Sequence, residues 1–308
     1  MLPRQALLVL ALLLGPLALR AQQGFYLRNN DTVVFYGDSI TEQRLYTTFV
    51  ETFVLTRYPR LQVRFVNAGW GGENAPGGNG GPVDLRLRRD VIPFKPTVMT
   101  VMLGMNDGGY RAFDQERFDR YTAGMEHILQ VTASENTTVT GLAVNQGLTW
   151  SQLDGALPLA LNLRDPAVPI ASRRGAATLC LALRSSDFTD ALNRQTLRVR
   201  GLADASYALK INGSAVGSFS REQLEKGLNL ATLATPMARQ AQTVFLLTVK
   251  RGDVREKRWK EIQVPYGEDN LNGLPAALEG LDAMEAELAQ RQRAAAQPAA
   301  CFYELIPE

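Results

Sequence analysis

Residues 97–103 read Thr-Val-Met-Thr-Val-Met-Leu, apolar whichever way successive side chains point. A strand of this kind has to be covered on both faces, as a central strand of a parallel sheet between helical layers is. The chain before it keeps the matching rhythm. Residues 32–36 and 63–66 are short runs rich in β-branched and aromatic side chains. Between them, residues 40–58 place Leu45, Phe49, Phe53 and Val54 at helical spacing and stop at Pro59. A glycine-rich loop follows over 69–81, then a short helix over 83–91 stopped by Pro93, the strand 97–103, and a helix over 113–129. Strands alternating with helices predict a doubly wound α/β sheet.

After Val131 the rhythm fails. Residues 133–147 are polar, Thr-rich and short of helix formers, and an apolar run at 157–163 is followed by another polar stretch. From residue 185 the texture is that of a small α+β unit. Residues 197–202 and 206–211 alternate like half-exposed strands, and Asn212-Gly213 turns the chain into 215–219. Ser220 with Gln223 forms a capping box, and 235–260 and 274–290 have helical patterning. The expected layout is a leader over 1–23, an α/β domain over 24–132, a junction over 133–184 and an accessory region over 185–308 that ends in a helix.

The leader carries Arg4, an apolar run from Leu7 to Leu19 and a small residue, Ala21, before Gln22. That pattern predicts a cleaved signal peptide and a secreted or periplasmic protein. The run is shorter than the ~20 residues a bilayer span needs, so no transmembrane segment is expected. The chain has 308 residues, a net charge of +2, one histidine and two cysteines. No basic cluster carries interleaved aromatics, and Arg88-Arg89 and Arg173-Arg174 read as solvated surface, which excludes a nucleic-acid footprint. A single histidine and no clustered cysteines leave no zinc-ligand spacing, so no metal and no cofactor are expected. Whether Cys180 and Cys301 pair is left open by their spacing.

Ligand sites of an open parallel sheet form at the carboxyl ends of its strands. Three motifs fall there: Gly37-Asp38-Ser39, Asn67-Ala68-Gly69-Trp70-Gly71-Gly72, and Gly104-Met105-Asn106-Asp107. Ser39 begins a helix, where backbone N–H groups favour negative charge. Gly72 lets a backbone N–H approach a substrate oxygen, and Asn106 offers an amide donor. Each motif alone also has a bland reading, as an N-cap, a turn or an ordinary loop. The glycine loop has neither the Gly-Lys-Ser/Thr ending nor the Gly-x-Gly-x-x-Gly spacing of a phosphate cradle.

In these blocks, over residues 31–130, the chain resembles the SGNH (GDSL) hydrolase superfamily, particularly secreted bacterial GDSL-type esterases. The resemblance implies a flavodoxin-like three-layer α/β/α fold and a serine ester hydrolase, with acetylated carbohydrates among the substrates such enzymes take. It assigns Ser39 as nucleophile, and Ser39 N–H, Gly72 and Asn106 as the oxyanion hole. Asp38 and Asp107 support the site within the same blocks. The later half also resembles C-terminal extensions of such bacterial proteins.

The superfamily carries its acid and base in a fourth block, Asp-x-x-His, after the last strand. This chain has no such block, and two strand-plus-helix units expected after Val131 are missing as well. The implied α/β sheet is therefore incomplete. His127 lies half a turn round its helix from Phe118, which with Tyr121, Met125 and Ile128 marks the expected buried face. His127 is accordingly expected in solvent and is a weak candidate for the base. Three readings follow: an esterase with damaged catalytic machinery, a secreted ligand-binding module in which Trp70 contributes, and a decayed gene product.

Overall fold

The computed structural model describes residues 25–135 and 187–308. The expected leader, the apolar run 157–163, most of the junction and Cys180 lie outside the described residues. Among the described residues Cys301 forms no disulfide.

The first half builds a parallel sheet. Strand β1 (Thr32–Gly37) leads into a one-turn helix α1 (Ser39–Glu42) and helix α2 (Leu45–Arg57). Strand β2 (Arg64–Gly69), helix α3 (Val83–Asp90) and strand β3 (Val98–Met102) follow. A short helix α4 (Met105–Gly108) and the long helix α5 (Gln115–Glu135) complete this half. The strand order is β2-β1-β3, with both pairings parallel. Side chains of β1 alternate strictly. Val34 and Tyr36 join Leu87 of α3 and Ile128 of α5 in one core, while Val33 and Phe35 join Val54 of α2 in another. The sheet is thus covered on both faces, as an α/β fold requires.

Several boundaries differ from the sequence expectation, each for a local reason. The helix expected over 40–58 is two helices, because Arg44 sits in the left-handed region at φ 60 and its guanidinium pairs with Asp253 and Glu256. The second strand starts at Arg64 and runs on to Gly69, since pairing with β1 continues to the Gly37–Gly69 register. β1, not β3, is the central strand. Among the described residues β3 pairs on one side only, and Met102 is 43% exposed. Helix α5 starts after Asp114, whose carboxylate accepts the Arg117 N–H, and continues past Val131 to Glu135. Its buried residues are Gly124, Ile128, Val131 and Thr132; Phe118, expected inside, is exposed.

The second half contains a hairpin of β4 (Ser206–Ile211) and β5 (Ser214–Ser220), closed by Asn212 and Gly213 at φ 50 and 75. Two positive φ values in sequence make the primed turn that matches strand twist. The Ser220–Gln223 capping box is formed and starts helix α6 (Arg221–Lys226). Helix α7 (Pro236–Glu256) passes into a π-helix over Lys257–Gln263, and helix α8 (Leu274–Ala296) returns antiparallel to it. The strand expected over 197–202 shrinks to Thr196–Leu197, with Gly201 at φ 77 breaking the extended run. A final strand β6 (Tyr303–Pro307), which the sequence reading missed, pairs with β4. Among the described residues, no helix is long and apolar enough to cross a membrane.

The residues expected as an accessory region pack into the first half. Helix α7 lies against α2, and Phe49 of α2 shares a core with Leu209, Met237 and Phe245. Arg251 of α7 donates to the Phe65 carbonyl at 2.9 Å, and Arg293 of α8 to the Val63 carbonyl at 2.9 Å. Arg251 also pairs with Glu51 of α2, and Gln292 of α8 donates to the same carboxylate at 2.9 Å. Burial pushes Glu51 above its ordinary value of 4.5, with Arg251 pulling the other way. Glu51 therefore protonates more readily folded than unfolded. Its contribution to stability is full below pH 4.5 and is lost as pH rises through the folded value. Arg251→Ala removes the main opposing charge and moves that loss to higher pH. The variant is expected to cost about 3–5 kcal/mol at neutral pH, where Glu51 loses its buried partner charge, and less in mild acid. Urea denaturation of both proteins across pH measures the difference.

Candidate active site

Gly69 ends β2 with no side chain, and the space is needed. A Cβ there would come within 2.2 Å of the Glu42 backbone nitrogen, so only glycine lets α1 pass this close to the strand. Asn67, on the same strand, donates to the Thr41 carbonyl at 2.7 Å and accepts from Gly69 N–H at 3.0 Å. α1 is thereby fixed over the carboxyl ends of β1 and β2. Asp38 is buried and caps it, accepting the Ile40 N–H at 2.9 Å. Ser39 is the first residue of this helix, half-buried. Among the described residues its hydroxyl has no hydrogen-bond partner, and His127 does not reach it.

Two bonds tie the glycine loop after β2 to the loop after β3. Asn106 Nδ2 donates to the Glu73 carbonyl at 2.8 Å, and Asp107 Oδ1 accepts the Ala75 N–H at 2.8 Å. Gly72, one residue before Glu73, sits at φ 76, a conformation that favours glycine. The structure thus links the loop of Gly72 to that of Asn106, and holds the helix of Ser39 against the end of β2. The second oxygen of Asp107 is buried without a partner.

The loop has a charged anchor that the sequence reading missed. Arg86 of α3 is fully buried together with Glu73 and Asp90. Its Nε donates to Glu73 at 2.7 Å, another nitrogen to Asp90, and a third to the Ala68 carbonyl at 2.7 Å. Glu73 uses its other oxygen to accept the Gly78 N–H. Asp90 also accepts Trp259 Nε1 at 2.6 Å. The signal was available: Val83, Arg86, Leu87 and Asp90 fall at one-face helical spacing, so two charged residues occupy core positions of an amphipathic helix.

His127 is placed elsewhere. Its Nε2 lies 3.1 Å from Asp84 Oδ1, and the ring is 42% exposed on the outer surface between α5 and α3. Trp70 follows β2, but cations crowd its ring: Arg86, Arg89 and Lys260 lie 5.3, 5.2 and 4.7 Å from the centroid. Tyr36, against Arg86, has its hydroxyl buried without a partner, and burial raises its pKa strongly. Among the described residues, no cluster of His, Cys, Asp or Glu is placed to hold a metal ion.

Arg86→Met would leave the fully buried Glu73 without its counter-charge and Asp90 with only its pair to half-buried Arg89. It is expected to destabilise the protein by about 3–5 kcal/mol. Arg88→Ala, which breaks an exposed pair with Glu135, should leave the denaturation midpoint nearly unchanged. Urea midpoints of the two variants give the comparison.

The fold is shared with a solved structure of a gut microbial diltiazem-metabolizing enzyme. The superposition has a TM-score of 0.68 at 17% identity and covers 94% of this chain and 100% of the other. No curated protein sequence matches the chain. The family model for the GDSL-like lipase/acylhydrolase family matches residues 35–204, and over that span come the three strand-end motifs already described. With more than half its length matched, the chain belongs to the GDSL-like lipase/acylhydrolase family.

Proposed function

We propose that the protein presents the acyl-transfer site of an ester hydrolase, with Ser39 as nucleophile. Ser39 N–H, Gly72 N–H and Asn106 Nδ2 form the oxyanion hole, and Asp38 and Asp107 hold these groups in place. The observation that carries this reading is the bond from Asn106 Nδ2 to the Glu73 carbonyl. An amide nitrogen has two N–H donors. One is spent on the loop that bears Gly72, and the other is left for a substrate oxygen. In the reaction, Ser39 Oγ attacks the ester carbonyl and gives its proton to solvent water, and the carbonyl oxygen becomes an anion held by the three donors. The alcohol then leaves with a proton, and water hydrolyses the acyl-enzyme. The substrates are small esters, acetylated carbohydrates among them, and the protein acts after export.

On this reading turnover is slow. A serine hydroxyl needs a base, the Asp-x-x-His block is absent from the sequence, and the one histidine is bonded to Asp84 on the outer surface. The binding-module alternative gains nothing from Trp70, whose ring is already surrounded by three cations.

Hydrolysis of a simple aryl acetate is expected to be at least about 10³-fold slower than in a family enzyme that has the block. The residual rate should fall further in Ser39→Ala and stay unchanged in His127→Ala. Equal loss in both variants, from a substantial starting rate, would make His127 the base and refute slow turnover. No change in either would refute the role of Ser39.

A further inference from the structure

The hydrogen bonds that hold the glycine loop lead outward to a residue the ester-hydrolase reading does not use. Asn106 is fixed by the Glu73 carbonyl, and the Glu73 carboxylate is fixed by Arg86 and the Gly78 N–H. Arg86 is held by Asp90, and Asp90 accepts the indole N–H of Trp259 at 2.6 Å. Every link from Trp259 to Glu73 is buried. Trp259 is the third residue of the π-helix Lys257–Gln263. Such wide turns are rare and are used where a helix departs from regular bonding for another purpose. The next residue, Lys260, pairs with Glu42 of α1, the helix that Ser39 starts. Trp259 also meets Trp70 edge-on, with centroids 5.5 Å apart, and Trp70 lies two residues before Gly72. The π-helix therefore touches both the glycine loop and the serine helix.

We propose that Trp259 is a positioning residue of the acyl-transfer site, setting the two oxyanion donors Gly72 N–H and Asn106 Nδ2 through Asp90, Arg86 and Glu73. The proposal rests on the site reading given above. Its physical basis is that Glu73 is gripped at both ends. Its carboxylate is held by the buried ion pair, its carbonyl by Asn106, and its own nitrogen follows Gly72 directly. A turn of Glu73 moves both donors together. Small displacements at an oxyanion hole are costly because the donors must already point at the developing charge.

A test has to report on the donors without relying on a base. Phenylboronic acid does so. Ser39 Oγ bonds to the trigonal boron and its proton leaves to solvent, giving a tetrahedral anion with an oxygen where an ester oxyanion would sit. Boron NMR detects the tetrahedral species, and titration gives its affinity. The wild type should form it, and Ser39→Ala should not. Trp259→Phe, which keeps an aromatic ring and loses the N–H, should weaken it about tenfold, the worth of one well-placed hydrogen bond. Asn106→Ala should also weaken it, and the two losses should not multiply in the double variant. Arg293→Ala, which loosens α8 from the far end of β2, should lower the denaturation midpoint and leave boronate affinity unchanged. If Trp259→Phe fails to fold, the benzothiophene analogue of tryptophan at position 259 keeps the bicyclic ring and removes only the N–H.

Wild-type affinity in Trp259→Phe, alongside weakened Asn106→Ala, overturns the positioning role and leaves the site reading standing. So does an equal loss in Arg293→Ala, or full multiplication in the double variant. Absence of any Ser39-dependent adduct in the wild type overturns both.

Discussion

Arg86 is a guanidinium in a place without water, and each of its bonding nitrogens meets an acceptor that belongs to a different part of the chain. Nε meets Glu73 of the glycine loop, a terminal nitrogen meets Asp90 one turn on, and the other meets the Ala68 carbonyl near the end of β2. Tyr36, Trp70 and Trp259 surround its plane within 5.2–5.7 Å. Desolvating three charges is expensive, and it is offset only where every lone pair and proton finds a partner. The cluster therefore tolerates little movement. Glu73 is held by that cluster through its carboxylate and by Asn106 through its carbonyl, next to Gly72. A loop rich in glycine has large conformational freedom of its own; here a buried ion pair removes it.

The C-terminal residues matter for the same sheet in a second way. The outer edge of β2 would present unpaired carbonyls, and Arg251 and Arg293 bind those of Phe65 and Val63. An edge covered by charged donors from a helix pair cannot recruit another strand. Arg255, beside them, is buried over the Phe94 ring, and burial lowers its pKa to about 10. The layer that α7 and α8 form carries charge inward toward the sheet, which is costly. It is held by the network of Glu51, Gln292, Thr248 and Thr52 that runs through α2.

What could be read from the sequence followed from local chemistry. Strands β1 to β5, the Asn212-Gly213 turn, the Ser220 capping box and the α3 helix depend on residues close in the chain, and these were legible. The placement of Ser39, Gly72 and Asn106 after the ends of β1, β2 and β3 was legible too, because it follows from where each strand stops. What was not legible depended on partners far along the chain. β6 forms only because β4 offers an edge, and its composition gives no strand signal of its own. The break at Arg44 depends on Asp253 and Glu256. The centrality of β1 over β3 depends on which strand recruits two neighbours, and an apolar run alone does not say. Trp259 reaches Asp90 across most of the chain. Arg86 is the instructive miss, since its helix position marked it as buried and charge alone argued against that.

The two halves of an acyl-transfer site differ in how they are built. On the proposed reading the oxyanion half consists of groups that also close the fold. Asp38 caps α1, Asp107 holds Ala75 N–H, and Asn106 holds the Glu73 carbonyl. These bonds lower the energy of the folded chain whether or not an ester is present, so folding alone is enough to assemble them. A base differs in kind. Its task is to reach one hydroxyl, and none of the loop-closing bonds described here requires it. The first half can therefore stand complete in a chain whose sequence lacks the family's acid–base block. On the proposed reading, affinity for a tetrahedral anion and the rate of ester cleavage are separate properties, the first set by the packing around Arg86 and the second by a proton acceptor.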